Sequence, residues 1–139
     1  MPSEPQPKKA PLESTILLFI SEPLVRQVIR EVVERAGYVV MATGDLGTAV
    51  DRLGECQADL LIISPYVETI SGHEAAKYLQ SRCPSMRILM VAGFLADDRL
   101  RYRAELERVE VFPHPFTGEQ LLEKVRSILA EPKVGGVPD

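Results

Sequence analysis

The chain contains only two cysteines in 139 residues, Cys56 and Cys83, and they do not form a CxxC pair. This spacing fits reduced thiols in a cytoplasmic protein better than a disulfide framework. No apolar run approaches the roughly 18 to 20 residues of a membrane span, and we find no signal peptide. We therefore expect a soluble, cytoplasmic protein that does not interact with a membrane.

Motifs that bind cofactors are also missing. Gly44, Gly47 and Gly54 do not form a G-x-G-x-x-G fingerprint or a P-loop, so the sequence predicts no nucleotide cofactor. The two histidines, His73 and His114, and the two cysteines are dispersed along the chain. Without a cluster of ligands at metal-binding spacing, we expect no metal site.

A net charge of −4 and a pI near 5.3 provide no general attraction to nucleic acid. We expect no nucleic-acid partner, and a protein partner is the interpretation that composition favours. With 45% hydrophobic and 26% charged residues, the chain is apolar enough to fold as one domain without disulfides or metals.

Both ends of the chain have the composition of flexible tails. Residues 1–14 contain four prolines and few apolar residues, and residues 131–139 contain two glycines and two prolines. Neither segment can bury enough apolar surface to offset the entropy of ordering. We expect a single folded domain over residues 15–130.

Within that domain, short apolar runs alternate with segments of helical period, which predicts an α/β fold with a parallel sheet. Five strands are predicted: Thr15 to Ile20, Tyr38 to Ala42, Asp59 to Ser64, Arg87 to Ala92 and Val109 to Phe112. The first, third and fourth are almost continuously apolar, as in central strands that are covered on both faces. Crossovers of the usual hand then give a doubly wound sheet with helices on both faces.

Five helices are expected between and after these strands. The first is predicted to bury Val25, Val28, Ile29, Val32 and Val33, with Arg26 and Arg30 pointing outward, and to end at Gly37. The second spans about 45–54, and the third begins at the capping box Ser71-Gly72-His73-Glu74. The fourth, at about 96–108, has the weakest apolar stripe, and Thr117 with Gln120 caps the fifth.

Three segments resemble the receiver domain of two-component response regulators. They are Ile16 to Pro23 (ILLFISEP), Asp59 to Gly72 (DLLIISPYVETISG) and the turn from Phe112 to Phe116 (FPHPF). Their order and intervals agree with the five-unit β-α domain predicted above. The resemblance implies a CheY-like, flavodoxin-like fold with a five-stranded parallel sheet in the order 2-1-3-4-5.

The residues that carry the family's chemistry are different in this chain. The metal-binding acids after strand one fall on Ile20 and Ser21, and only Glu22 remains of that acidic turn. The phosphate-accepting aspartate falls on Ser64. The hydroxyl residue of strand four falls on Ala92, the switching aromatic residue of strand five on Val111, and the phosphate-sensing lysine on His114.

These replacements predict a degenerate receiver that is not an enzyme. Mg²⁺ prefers hard oxygen ligands that include one or two carboxylates, which Ile20, Ser21 and Ser64 cannot supply. A neutral serine hydroxyl without an activating base is also a poor nucleophile. The resulting prediction is a phosphorylation-independent protein-binding module. By position in the family, its candidate partner contacts are Arg99, Arg103, Val111 and Phe116, on a face that could also form a homodimer.

Other interpretations remain open on the sequence. The crevice around Ser64, Ala92 and His114 could bind a small ligand such as a cyclic dinucleotide. Ser64, His114 and Glu22 stand at the ends of strands three, five and one. If these strands are neighbours in the sheet, the three residues could form a serine hydrolase triad. Against the triad, Ser64 precedes Pro65 and lacks a G-x-S-x-G elbow. The resemblance further implies a cis His114–Pro115 peptide bond.

Overall fold

A computed structural model describes residues 14–55, 57–67, 70–92, 110–113 and 116–130. Seven strands lie in these ranges: β1 Thr15–Phe19, β2 Val39–Thr43, β3 Leu60–Ile63, β4 Tyr66–Val67, β5 Ile70–Ser71, β6 Arg87–Ala92 and β7 Glu110–Pro113. Four helices accompany them: α1 Pro23–Arg35, α2 Leu46–Glu55, α3 Gly72–Arg82 and α4 Gly118–Ala130. The helix predicted at about 96–108 falls outside the described residues.

The strands form a five-stranded parallel sheet in the order β2-β1-β3-β6-β7. The predicted α/β parallel architecture is therefore confirmed, and the almost continuously apolar strands β1, β3 and β6 lie inside the sheet. One element was not predicted. β4 and β5 form a small antiparallel ribbon between β3 and α3.

Helices cover both faces of this sheet because side chains alternate along each strand. Leu17, Phe19, Leu61 and Ile63 pack in one core cluster with the buried faces of α2 and α3. Ile16, Leu18, Leu60 and Ile62 pack in a second cluster with α1 and α4. The doubly wound arrangement follows directly from this alternation.

The predicted C-terminus of α1 and the predicted N-termini of α3 and α4 are confirmed. Gly37 follows α1 with φ of 103°, a left-handed conformation that glycine adopts without strain. The Ser71 hydroxyl accepts a hydrogen bond from the Glu74 N–H at 3.1 Å and so caps α3. Thr117 and Gln120 cap α4 reciprocally, at 3.0 and 2.9 Å.

The predicted buried face of α1 is only partly correct. Ile29 and Val33 are buried, whereas Val28 is 59% exposed and the neighbouring Leu24 is 79% exposed. The apolar stripe on α1 is wider than the surface that the sheet and α4 cover. Within the described ranges, no helix combines the length and the apolar character needed to cross a membrane.

Candidate functional site

The candidate site lies at the carboxyl edge of the sheet, where β1 and β3 end side by side. The pairing of Phe19 with Ile63 brings the residues that follow them together. The Ser64 N–H donates to the Phe19 carbonyl at 3.2 Å. The Ser64 hydroxyl accepts a hydrogen bond from the Ser21 N–H at 3.0 Å, and this serine is only 7% exposed. Ser64 therefore ties β3 to the turn between β1 and α1.

Ile20 is part of the core. Its side chain is 2% exposed and belongs to the cluster that α1 and α4 cover. Its N–H donates to the Thr43 carbonyl at 3.2 Å, which extends the pairing of β1 with β2. An apolar side chain that is removed from water occupies the first position at which the family resemblance implies a metal-binding acid.

The next two residues of the turn are exposed. Ser21 uses its backbone N–H for the bond to Ser64, and Glu22 precedes α1 as its N-cap residue. The Glu22 side chain makes no capping hydrogen bond. Its carboxylate is the one acidic group that remains in this turn.

Arg26 is a site residue that the sequence analysis missed. It was predicted to point outward from α1, but it is half-buried, and its Nη1 donates to the Ile20 carbonyl at 2.6 Å. The signal that could have identified it is helical spacing. Arg26 stands three residues before Ile29 and seven before Val33, so it lies beside the buried face of the helix.

A glycine closes the other side of Ser64. The Gly72 N–H donates to the Pro65 carbonyl, and a Cβ atom at Gly72 would overlap the Ser64 carbonyl oxygen. The glycine that ends the second family-like segment is therefore required by the close approach of α3 to the end of β3. Any larger residue would displace one of these two elements.

β6 and β7 lead to the remaining predicted site residues, and both run parallel to β3 toward the same edge of the sheet. Ala92 pairs with Pro113, and Met90 pairs with Val111. Phe116 is half-buried and packs against the core cluster of α1 and α4. His114, Pro115, Arg99 and Arg103 fall outside the described residues, so the cis bond, the ligand crevice and the candidate partner face remain predictions.

The topology corrects one premise of the hydrolase interpretation. β6 lies between β3 and β7, so the strand that leads to His114 is not a neighbour of β3. The Ser64 hydroxyl also makes its described hydrogen bond to the Ser21 backbone rather than to a side-chain base.

The residues present do not fit a magnesium ion. The positions that would supply carboxylate oxygens carry the buried Ile20, the exposed Ser21 and the hydroxyl of Ser64. In the part of the chain that the structure describes, no three His, Cys, Asp or Glu side chains form a group suited to a metal. Glu22 supplies the one carboxylate of this turn, so the site lacks the clustered acids that Mg²⁺ prefers.

Comparisons with known proteins agree with this architecture. A family model described as response regulator receiver domain matches residues 16–126. The DNA-binding transcriptional regulator NtrC of Bradyrhizobium sp. (strain RP501 Parasponia) is 24% identical over 119 residues, which cover 86% of this chain. The match covers 25% of that regulator, so the chain spans about a quarter of the length of this relative.

Two solved structures illustrate the likeness in fold. Chemotaxis protein CheY4 of Vibrio cholerae superposes with a TM-score of 0.74 at 19% identity, covering 84% of this chain and 98% of that one. A CheY-like receiver domain protein from Methanospirillum hungatei JF-1 gives 0.76 at 19% identity, covering 84% and 94%. At such identities the shared property is the fold.

Proposed function

Because the chain belongs to the response regulator receiver domain family, we propose that it is a pseudo-receiver. In this proposal it binds a protein partner in two-component-type signalling without being phosphorylated, and it catalyses no reaction. The observation that supports this most directly is the set of side chains at the carboxyl edge of β1 and β3. It contains a core isoleucine and two serines where acid chemistry is required.

The chemistry of phosphoryl transfer explains why these side chains matter. Transfer to a receiver needs a carboxylate nucleophile and a divalent cation that neutralises the developing charge. The Ser64 hydroxyl is neutral, nearly buried, and already accepts the Ser21 N–H. Within the described residues no side-chain base contacts its oxygen, so it remains a poor nucleophile.

The residues that would convert phosphorylation into a conformational change also support the proposal. The alanine at position 92 has no hydroxyl to hold a phosphoryl oxygen, and the valine at position 111 has no ring to move inward. A ligand shifts an equilibrium only through contacts that differ between two states. With those contacts missing, the domain presents one constant surface to its partner.

Incubation with acetyl phosphate and Mg²⁺ tests this function. We expect the intact mass, the amide NMR spectrum and the elution volume to stay unchanged, while a receiver with an intact aspartate gains one phosphoryl group in parallel. A phosphoryl group on the wild-type chain that disappears in Ser64→Ala would overturn the proposal. A Mg²⁺ titration that shifts the amides at the ends of β1 and β3 would contradict the argument about the metal ligands.

A further inference from the structure

The peptide unit between Ile20 and Ser21 is held from two opposite sides. Its N–H donates to the Ser64 hydroxyl at 3.0 Å, and its carbonyl accepts from Arg26 Nη1 at 2.6 Å. The N–H and C=O of a trans peptide point in opposite directions. One side chain from the end of β3 and one from α1 therefore contact the same planar group.

The backbones of Ser64 and Arg26, which carry these two side chains, are themselves held in place. The Ser64 N–H is bonded to the Phe19 carbonyl at 3.2 Å, and Gly72 packs against the Ser64 carbonyl. The Arg26 N–H is bonded to the Glu22 carbonyl at 2.9 Å in the first turn of α1. Both contacts on the peptide are therefore attached to rigid elements.

Gly44 makes room for the guanidinium. A Cβ atom at this position would overlap Arg26 Nη1, and it would also approach the Ile20 carbonyl oxygen at 3.4 Å. The loop after β2 therefore packs closely over the guanidinium and limits the rotamers that Arg26 can adopt. Three neighbouring parts of the edge, the ends of β1, β2 and β3, meet at this one peptide.

We propose that Ser64 and Arg26 form a two-sided clamp on the Ile20–Ser21 peptide, which holds the turn between β1 and α1 in one conformation. Donation by the charged guanidinium to the carbonyl polarises the amide and makes its N–H a stronger donor to Ser64. The two hydrogen bonds then reinforce each other through the peptide. As a result, the start of α1 and its exposed Leu24 and Val28 keep a constant position.

The clamp gives Ser64 a structural role at the position where the family resemblance implies a phosphate acceptor. It concerns the resting conformation of the turn, so it does not depend on whether a partner binds or which partner it is. The acetyl phosphate experiment and hydrogen exchange of the Ser21 amide can therefore fail separately.

Hydrogen exchange of the Ser21 amide tests the clamp in the full chain. In Ser64→Ala the N–H loses its acceptor, and we expect exchange to accelerate by about two- to tenfold relative to amides inside β1 and β3. In Arg26→Ala the N–H keeps its acceptor but loses the polarisation. We expect exchange of the Ser21 amide to accelerate in this variant as well. In the double variant, the acceleration should be smaller than the product of the two single accelerations by about twofold or more.

Arg30→Gln is the matched control, because Arg30 lies one turn further along α1 and pairs with Glu34 at 3.1 Å on the exposed surface. It should leave the Ser21 amide unchanged. A loss of global stability would also accelerate exchange of the amides inside β1 and β3. The ratio of the Ser21 exchange rate to the rates of those amides therefore reports on the turn alone. If Arg26→Ala does not fold, Arg26→Gln replaces it, since glutamine keeps an N–H donor but lacks the charge.

Two results would overturn the clamp. One is an Arg26 variant in which the Ser21 amide exchanges at the wild-type ratio. The other is a combined variant whose effect equals the product of the single effects, which would show two independent hydrogen bonds.

Discussion

The Tyr38 hydroxyl lies in the core cluster between the sheet, α1 and α4, where the residue is only 3% exposed. Its oxygen makes no hydrogen bond of good geometry within the described residues, and Arg126 is the charged donor that acts on it. Burial raises the pKa of this phenol above its ordinary value, and the nearby Arg126 guanidinium opposes the shift. Desolvation is the larger effect because the phenolate would lose its hydration.

This shift predicts a loss of stability in alkaline solution. The folded protein holds the phenolic proton more tightly than the unfolded chain, whose tyrosine titrates near 10.0. The contribution of the protonated Tyr38 phenol to stability is therefore complete below that pH. It is lost as the pH rises through the higher pKa of the folded state. Urea unfolding between neutral pH and pH of about 11 should show a steeper decline for wild type than for Tyr38→Phe.

Tyr78→Phe is the matched control for this experiment. Tyr78 is 44% exposed, and its hydroxyl accepts from Arg82 at 3.0 Å on the surface. This variant should keep the alkaline decline of wild type. Identical pH curves for wild type and Tyr38→Phe would contradict the interpretation of the buried phenol.

Among the helices that the structure describes, α4 has the most complete N-terminal cap. Thr117 Oγ1 accepts from the Gln120 N–H, and Gln120 Oε1 accepts from the Thr117 N–H. At the other end, the Arg87 guanidinium of β6 donates to the Ile128 carbonyl. Both ends of the helix are therefore attached by polar contacts, while Leu121, Val125 and Ile128 bury its inner face.

We expect Thr117→Ala to lower the free energy of unfolding by about 1 kcal/mol, since it removes the acceptor of an otherwise unpaired N–H. The control is Ser127→Ala on the exposed face of the same helix. It should be neutral or slightly stabilising because alanine is the better helix former. If urea unfolding gave equal losses of unfolding free energy for the two variants, the cap would not contribute to stability.

In the molecule as a whole, the sheet separates two apolar clusters that share the same strands. Ile62 and Ile63 are consecutive in β3 and both fully buried, but they point into different clusters. The described chain from β1 to α4 is therefore expected to unfold as one cooperative unit, because neither cluster can persist once the shared sheet is lost.

Substitution of these two isoleucines by valine tests this coupling. Ile62→Val and Ile63→Val should each cost about 0.5 to 1.5 kcal/mol, and the costs should add in the combined variant because the side chains lie on opposite faces. Circular dichroism and tyrosine fluorescence should report the same urea midpoint in each variant. Separate midpoints would show that the clusters unfold independently.

The sequence determined much of this fold because its signals are local. A cap depends on residues three positions apart, as at Ser71 and Thr117. The pattern of apolar side chains along a strand indicates which of its faces are buried. The apolar runs of β1, β3 and β6 were enough to place these strands inside the sheet. The sequence alone also showed Ile20, Ser21 and Ser64 at the positions where the family resemblance implies acids.

Only the tertiary structure decided how those elements meet. It left Val28 exposed because the sheet and α4 cover a narrower strip of α1 than its apolar pattern suggests. It also turned Arg26 toward the Ile20 carbonyl and added the β4–β5 ribbon between β3 and α3. These contacts join residues that are distant in the chain or on different elements, and no local period or cap specifies such packing.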